Sequence, residues 1–198
     1  EIKRTGGNVG MPNLKMVRIQ TKLNDLFGGK IDLSDVTNPE EETNKFFSRA
    51  VAALAIAMRC GIDFDVAALS VTDGYHDMGI DAVYNDTTQK KLILVQSKWR
   101  KDGTGSISQD EAHKFIEGIK RIINLDFSDC NAKLLAKQQE ISAAIHDMDY
   151  QVEMVYCHTG SQNADGYVLH PINEVLEQVN EDDSSDLLVF IEHKLQDI

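Results

Sequence analysis

Within the stretch Asp73 to Arg100, which reads DGYHDMGIDAVYNDTTQKKLILVQSKWR, Asp81, Gln96 and Lys98 have the types and spacing to act on a phosphodiester. Two runs of strand type, Gly79 to Tyr84 and Lys91 to Trp99, flank a polar turn at Asn85 to Lys90, which is the pattern of a β-hairpin. Alternate residues of a strand share a face. Asp81 therefore goes with Val83, while Gln96 and Lys98 go with Leu92 and Leu94. A carboxylate and an amide oxygen are hard ligands of the kind Mg²⁺ or Mn²⁺ prefers, and a neighbouring ammonium can neutralise charge building on a phosphate or position the attacking water. The same residues also fit a turn aspartate and an exposed lysine at a strand end, and spacing alone leaves both readings open.

The run Asp77-Met78-Gly79-Ile80-Asp81-Ala82, followed 15 residues after Asp81 by Gln96-Ser97-Lys98, resembles the core of the PD-(D/E)xK nuclease superfamily in its Gln-x-Lys variant. Mrr-type restriction endonucleases carry that variant. The tail Gln96-Ser97-Lys98-Trp99-Arg100, with a Lys-Asp-Gly loop and a helix after it, is most similar to the N-terminal domains of abortive phage infection proteins of the AIPR family. The motif match covers about Asp73 to Phe127. Gln96 stands where many members of the superfamily have Asp or Glu. The resemblance implies a restriction-endonuclease-like fold and a metal held by Asp81 and Gln96, with Lys98 as a catalytic group. It also implies nucleic acid, expected to be DNA, as the substrate, and a bacterial role in anti-phage defence.

Other elements have to hold this hairpin. Met16, Ile19, Leu23, Leu26 and Phe27 recur at helical spacing from a start near Pro12, with Gly28-Gly29 as a stop, and Lys30 to Thr37 reads as a loop. Asn38-Pro39-Glu40-Glu41-Glu42 opens a second helix. Asn38 is its N-cap, Pro39 sits in the first turn and Glu41 is a capping-box partner; the helix runs to about Cys60 before Gly61. Its apolar arc through Phe46, Phe47, Ala50, Val51, Ala53, Leu54, Ala57 and Met58 predicts burial. Glu42 precedes Phe46, Ala50 and Ala53 by four, eight and eleven residues, which places it on the inward side. In the nucleases the motif resembles, a helix before the motif supplies a metal-site Glu. Glu42 is the candidate here and Glu41 the fallback, while a purely dipole-stabilising role for all three glutamates stays open. Asp77 is assigned a turn-capping role, with an ion or water ligand as the alternative. His76 reads as a surface group.

Beyond the hairpin, Lys101 to Ile107 is a glycine-containing loop, and Ser108-Gln109-Asp110-Glu111 is a capping box opening a helix with Phe115, Ile119, Ile122 and Ile123. Asn131 to His146 reads as one further helix, Gln151 to His158 as a strand, Tyr167 to Val179 as a helix interrupted near Pro171, and Asp186 to Glu192 as a last strand. Alternating strands and helices predict an α/β three-layer sandwich on a mixed sheet. The expected organisation is a helical extension over residues 1–37 and a nuclease-like domain over 38–198.

Composition sets the outer limits. At 198 residues, 42% of them apolar and 26% charged, the chain can bury one sizeable core. No stretch approaches the ~18 apolar residues of a membrane helix, so no membrane association is expected. Cys60, Cys130 and Cys157 are odd in number and far apart, which argues against a disulfide framework or a structural zinc and for a reducing cytoplasm. The first residue is Glu, and a fragment of a longer protein is the expectation.

A net charge of −12 weighs against a large DNA-binding surface. Acidic residues gather at Glu181, Asp182, Asp183 and Asp186, whereas Lys90, Lys91, Lys98, Arg100 and Lys101 surround the hairpin. A homodimer or a missing C-terminal region is expected to supply the rest of the grip. Two classes of function remain from the sequence: a divalent-metal-dependent nuclease, and a catalytically silent module of the same fold that senses nucleic acid or supports assembly.

Overall fold

Period-two alternation divides the apolar strand residues between two sheet faces, and helices cover both. The computed structural model describes residues 13–180 and 186–198, so the glycine-containing N-terminal stretch and Glu181, Asp182 and Asp183 lie outside the described residues. β1 (Ala82–Asp86) runs antiparallel to β2 (Lys91–Lys98), which runs parallel to β3 (Gln151–His158), itself parallel to β4 (Leu188–His193). Val83, Leu92, Leu94, Met154 and Tyr156 face a core formed with α4 (Gln109–Ile123), α5 (Ala132–Leu135), α6 (Gln138–His146) and α7 (Gly166–Asn180). Ala82, Ile93, Val95, Val155 and Cys157 face a second core formed with α1 (Leu14–Phe27), α2 (Pro39–Cys60) and α3 (Phe64–Ala68). The chain is an α/β protein whose four-stranded mixed sheet is flanked by helices. Leu23, Phe27 and Ile31, from the expected N-terminal extension, are buried in the same cluster as the middle of α2.

Local chemistry fixes the elements next to the hairpin. Asn38 caps α2 by accepting from the Glu40 N–H, and Gly61 ends it at φ 65°, where a Cβ would be strained. The Glu41 carboxylate accepts from the Asn38 side-chain amide instead of the backbone N–H of a full capping box. Ser108 and Glu111 do form the reciprocal box at the start of α4.

Three boundaries differ from the sequence reading. β1 begins at Ala82, because Gly79 to Asp81 close a turn in which the Ile80 N–H donates to the Asp77 carbonyl. The helix expected over 131–146 breaks at Ala136 and Lys137, where the Lys137 N–H donates to the Leu134 carbonyl and the backbone tightens. α7 continues through Pro171: a proline in the second turn removes one helical hydrogen bond, at a stretch of helix where Tyr167 is exposed.

Candidate metal and active site

A return of the chain along β1 brings three carboxylates together. Ser70 to Asp73 run beside the start of β1, with Val71 bridging Ala82, the Val83 N–H donating to the Ser70 carbonyl, and the N–H groups of Thr72 and Asp73 both donating to the Asp81 carbonyl. Asp73 and Asp81 therefore stand side by side, and the intervening loop folds Asp77 over them. Asp73, Asp77 and Asp81 are all buried, and one carboxylate oxygen of each lies within 4.8 Å of the others, close enough for a metal ion to bind among them.

The loop is shaped by unusual backbone. His76, Met78 and Gly79 adopt positive φ of 62°, 58° and 76°. Asp77 stabilises this path: its Oδ1 accepts from the Gly79 N–H at 2.8 Å and its Oδ2 from the Gly74 N–H at 3.3 Å. It thus caps the turn, as expected, and also stands in the carboxylate cluster. From below, α4 supports the loop at Gly118, where any Cβ would overlap the Met78 carbonyl oxygen. The His76 carbonyl accepts from the Asn131 N–H, and the Asn131 side chain donates to the Thr72 carbonyl.

Asp81 is held from β2. Its own backbone carbonyl is taken by residues 72 and 73, and the Ser97 N–H donates to its Oδ2 at 2.7 Å. The Ser97 hydroxyl lies 3.0 Å from that oxygen and 2.9 Å from the Ser48 carbonyl of α2, with one proton to give. Ser97 thus positions Asp81 from the opposite face to Lys98. Burial, then the charges of Asp73 and Asp77, push the Asp81 carboxyl up to about 7, against the Ser97 N–H and Lys98, which lower it.

Asp73 has a different environment. Arg49 of α2 is completely buried and donates from Nε to Asp73 Oδ2 at 2.7 Å, while its other nitrogens donate to Asp35 at 2.7 Å and to the Asp32 carbonyl at 2.6 Å. The Arg49 hydrogen bonds hold Asp35 down at about 2. Lys45 lies 3.6 Å from Asp73, and Lys114 lies 3.3 Å from Asp77. Arg49 therefore ties the 32–35 loop to the carboxylate cluster. A sequence signal for it exists: Arg49 precedes Ala53 and Ile56 by four and seven residues, on the apolar arc of α2, and a cation there requires buried anions.

The other sequence candidates distribute unevenly. Asp81 and Lys98 line one cavity of about 490 Å³, together with Asp73, Asp77 and Lys114. Gln96 is buried and does not line that cavity, and among the described residues its Oε1 accepts no hydrogen bond. Glu42 is exposed and is not part of the cavity wall. Burial along α2 begins only at Phe47, so the first two turns stand clear of the core and the inward face inferred for Glu42 has nothing to pack against. Glu41, on the neighbouring face, does line the cavity.

The basic residues also separate. Lys90 pairs with Asp147 and Lys91 with Glu153 at the turn end of the hairpin, roughly 23 Å of strand away from Lys98. Arg100 binds Glu111. Among the described residues, no helix is long and apolar enough to cross a membrane. Compared with family models, with curated proteins and with solved structures, the chain matches none.

Proposed function

We propose that this chain is a divalent-metal-dependent nuclease domain of the PD-(D/E)xK kind in its Gln-x-Lys variant, with a restriction-endonuclease-like sandwich, cleaving phosphodiester bonds of nucleic acid in anti-phage defence. The observation that carries the reading is that Asp81, just before β1, and Lys98, at the end of β2, line one cavity beside two further carboxylates. The donor set fits the metal: the carboxylate oxygens of Asp73, Asp77 and Asp81 are hard ligands suited to Mg²⁺ or Mn²⁺. Asp81 would hold the ion, with Asp73 or Asp77 as a further carboxylate and Glu41 at the rim, while Gln96 stands outside the cavity that these residues line. When bound, such an ion acidifies a water and neutralises phosphate charge. Lys98 would place its ammonium against the phosphate oxygen that gains charge, and Ser97 would keep the Asp81 carboxylate in position.

The alternative, a catalytically silent module of the same fold, is favoured by two observations. Gln96 does not reach the cavity, and Asp73 and Asp77 already face Arg49, Lys45 and Lys114. Plasmid cleavage decides between them. The nuclease reading expects nicking with Mg²⁺ or Mn²⁺ that EDTA stops and Asp81→Ala abolishes. Persistent absence of cleavage with either ion, on single- and double-stranded substrates, leaves the silent module.

A further inference from the structure

The trough that contains the carboxylates continues past Lys98. A second cleft of about 500 Å³ lies on its other side, and the two share Glu41, Lys45, Ser48 and Lys98. Aromatic rings stand at both ends. In the second cleft, Trp99 is stacked on Phe47 with ring centroids 4.6 Å apart and planes 20° apart. That contact fixes the indole while the half-buried ring still lines the cleft. At the carboxylate end Tyr75 is 85% exposed, and its ring makes an edge contact with the exposed His76. Tyr75 stands on a loop whose path is held by hydrogen bonds from Asp77 and Asn131 and by close packing against Gly118.

Resting on the nuclease reading above, we infer that the substrate held across Lys98 is a single-stranded polynucleotide, with bases stacked on Trp99 and Tyr75 and the intervening phosphates beside Lys45, Lys98 and Lys101. A base can stack on a protein ring only when its own face is free, which a base inside a duplex does not offer. Charge points the same way. Lys98 and Lys101 make no ion pair among the described residues, Lys45 and Lys114 already face aspartates, and the chain carries −12 overall. Two to four lysines match a short run of single-strand phosphates, whereas a duplex needs a broader basic track.

Trp99 is the only tryptophan in the sequence, so intrinsic fluorescence reads the proposed contact directly. This 198-residue chain in Ca²⁺ is titrated with oligo-dU, oligo-U and a blunt DNA duplex, each of about 12 nucleotides or base pairs. One or both single strands should quench the tryptophan, the better of them binding at least ~10-fold more tightly than the duplex; which one quenches identifies the sugar. The log–log salt slope should lie between about −1.4 and −2.8, from ~0.7 per phosphate. Tyr75→Ala, at an exposed position, should weaken single-strand binding about 5- to 150-fold with unchanged thermal stability. Absence of quenching by both strands, equal or tighter duplex binding, or unaltered affinity in Tyr75→Ala would overturn the inference. Cleavage of the same oligonucleotides with Mg²⁺ or Mn²⁺ separates the two proposals. Quenching without cleavage removes the nuclease reading and keeps the single-strand site; duplex cleavage without single-strand quenching does the reverse.

Discussion

Replacing Asp81 by Asn should stabilise the metal-free protein, and should do so only above acidic pH. The folded carboxyl keeps its proton up to about 7, against an ordinary value of 3.8, because burial and two neighbouring carboxylates oppose its charge. Below about pH 4 both folded and unfolded states are protonated there, and the group is neutral to stability. Between about 4 and 7 the unfolded chain gives up this proton and the folded one keeps it, so stability falls as pH rises; above 7 the loss is complete. Each unit by which the folded carboxyl lies above 3.8 corresponds to about 1.4 kcal/mol, so the loss is on the order of a few kcal/mol. Asparagine keeps an oxygen for the Ser97 N–H and carries no charge, so Asp81→Asn should gain on the order of a few kcal/mol at about pH 8, with Tm rising by about 2–4 °C for each kcal/mol in a chain of this size. Near pH 4 it should gain almost nothing. Denaturant unfolding of both proteins in EDTA at the two pH values measures the difference. Mg²⁺ at ~100 times its Kd should then recover about 2.7 kcal/mol for the wild type and little for the variant. Equal destabilisation by Asn at both pH values would refute the reasoning, because it would mean that Arg49, Lys45 and Lys114 already compensate the cluster in full.

Three further outcomes follow from the geometry. Lys98→Ala should lower the cleavage rate by ~10²- to 10³-fold while Mn²⁺ binding, followed by calorimetry, persists; cleavage at the wild-type rate would remove Lys98 from the chemistry. Glu41→Gln should weaken Mn²⁺ binding whereas Glu42→Gln should not, and the opposite order would show that the start of α2 turns its Glu42 face toward the substrate in solution. Gly118→Ala should cost ~1–3 kcal/mol despite alanine's ~1 kcal/mol advantage in helices, because its Cβ displaces the Met78 carbonyl and with it Asp77; chemical denaturation and metal affinity should fall together, and an unchanged metal affinity would detach Gly118 from the site.

Most of the fold is legible because it rests on short-range signals. Asn38, Gly61, and Ser108 with Glu111 mark helix ends by satisfying backbone groups locally, and the alternation through Leu92, Leu94 and Met154 sorts residues between faces without reference to anything distant. The failures come where a local cost is small or is met elsewhere. Pro171 reads as a break because the residue alone does not show that its lost hydrogen bond falls where Tyr167 is exposed. Glu42 reads as inward because helical periodicity says which face a residue is on and nothing about how far along the helix its partners extend; burial begins at Phe47.

The site divides in the same way. Asp81 and Lys98 are named from the sequence by their place beside the hairpin, and both line one cavity, although Asp81 stands in the turn before β1 and is held by Ser97 and not by strand alternation with Lys98. Asp73 escapes that logic. Its place in the cluster depends on a segment pairing back along the free edge of β1 through Val71, and on Arg49, 24 residues earlier in the chain, which gives its buried charge a partner. The readable trace of that arrangement is the partner: an arginine on the apolar arc of α2 can be buried only if carboxylates meet it, and two do. Arg49 answers Asp73 and Asp35, while among the described residues no arginine reaches Asp81, whose partners are Ser97 and the more distant Lys98. That asymmetry leaves Asp81, of the three carboxylates, the one whose charge a bound cation would relieve most, which is why the stability of Asp81→Asn and its response to Mg²⁺ test the site before any substrate is known.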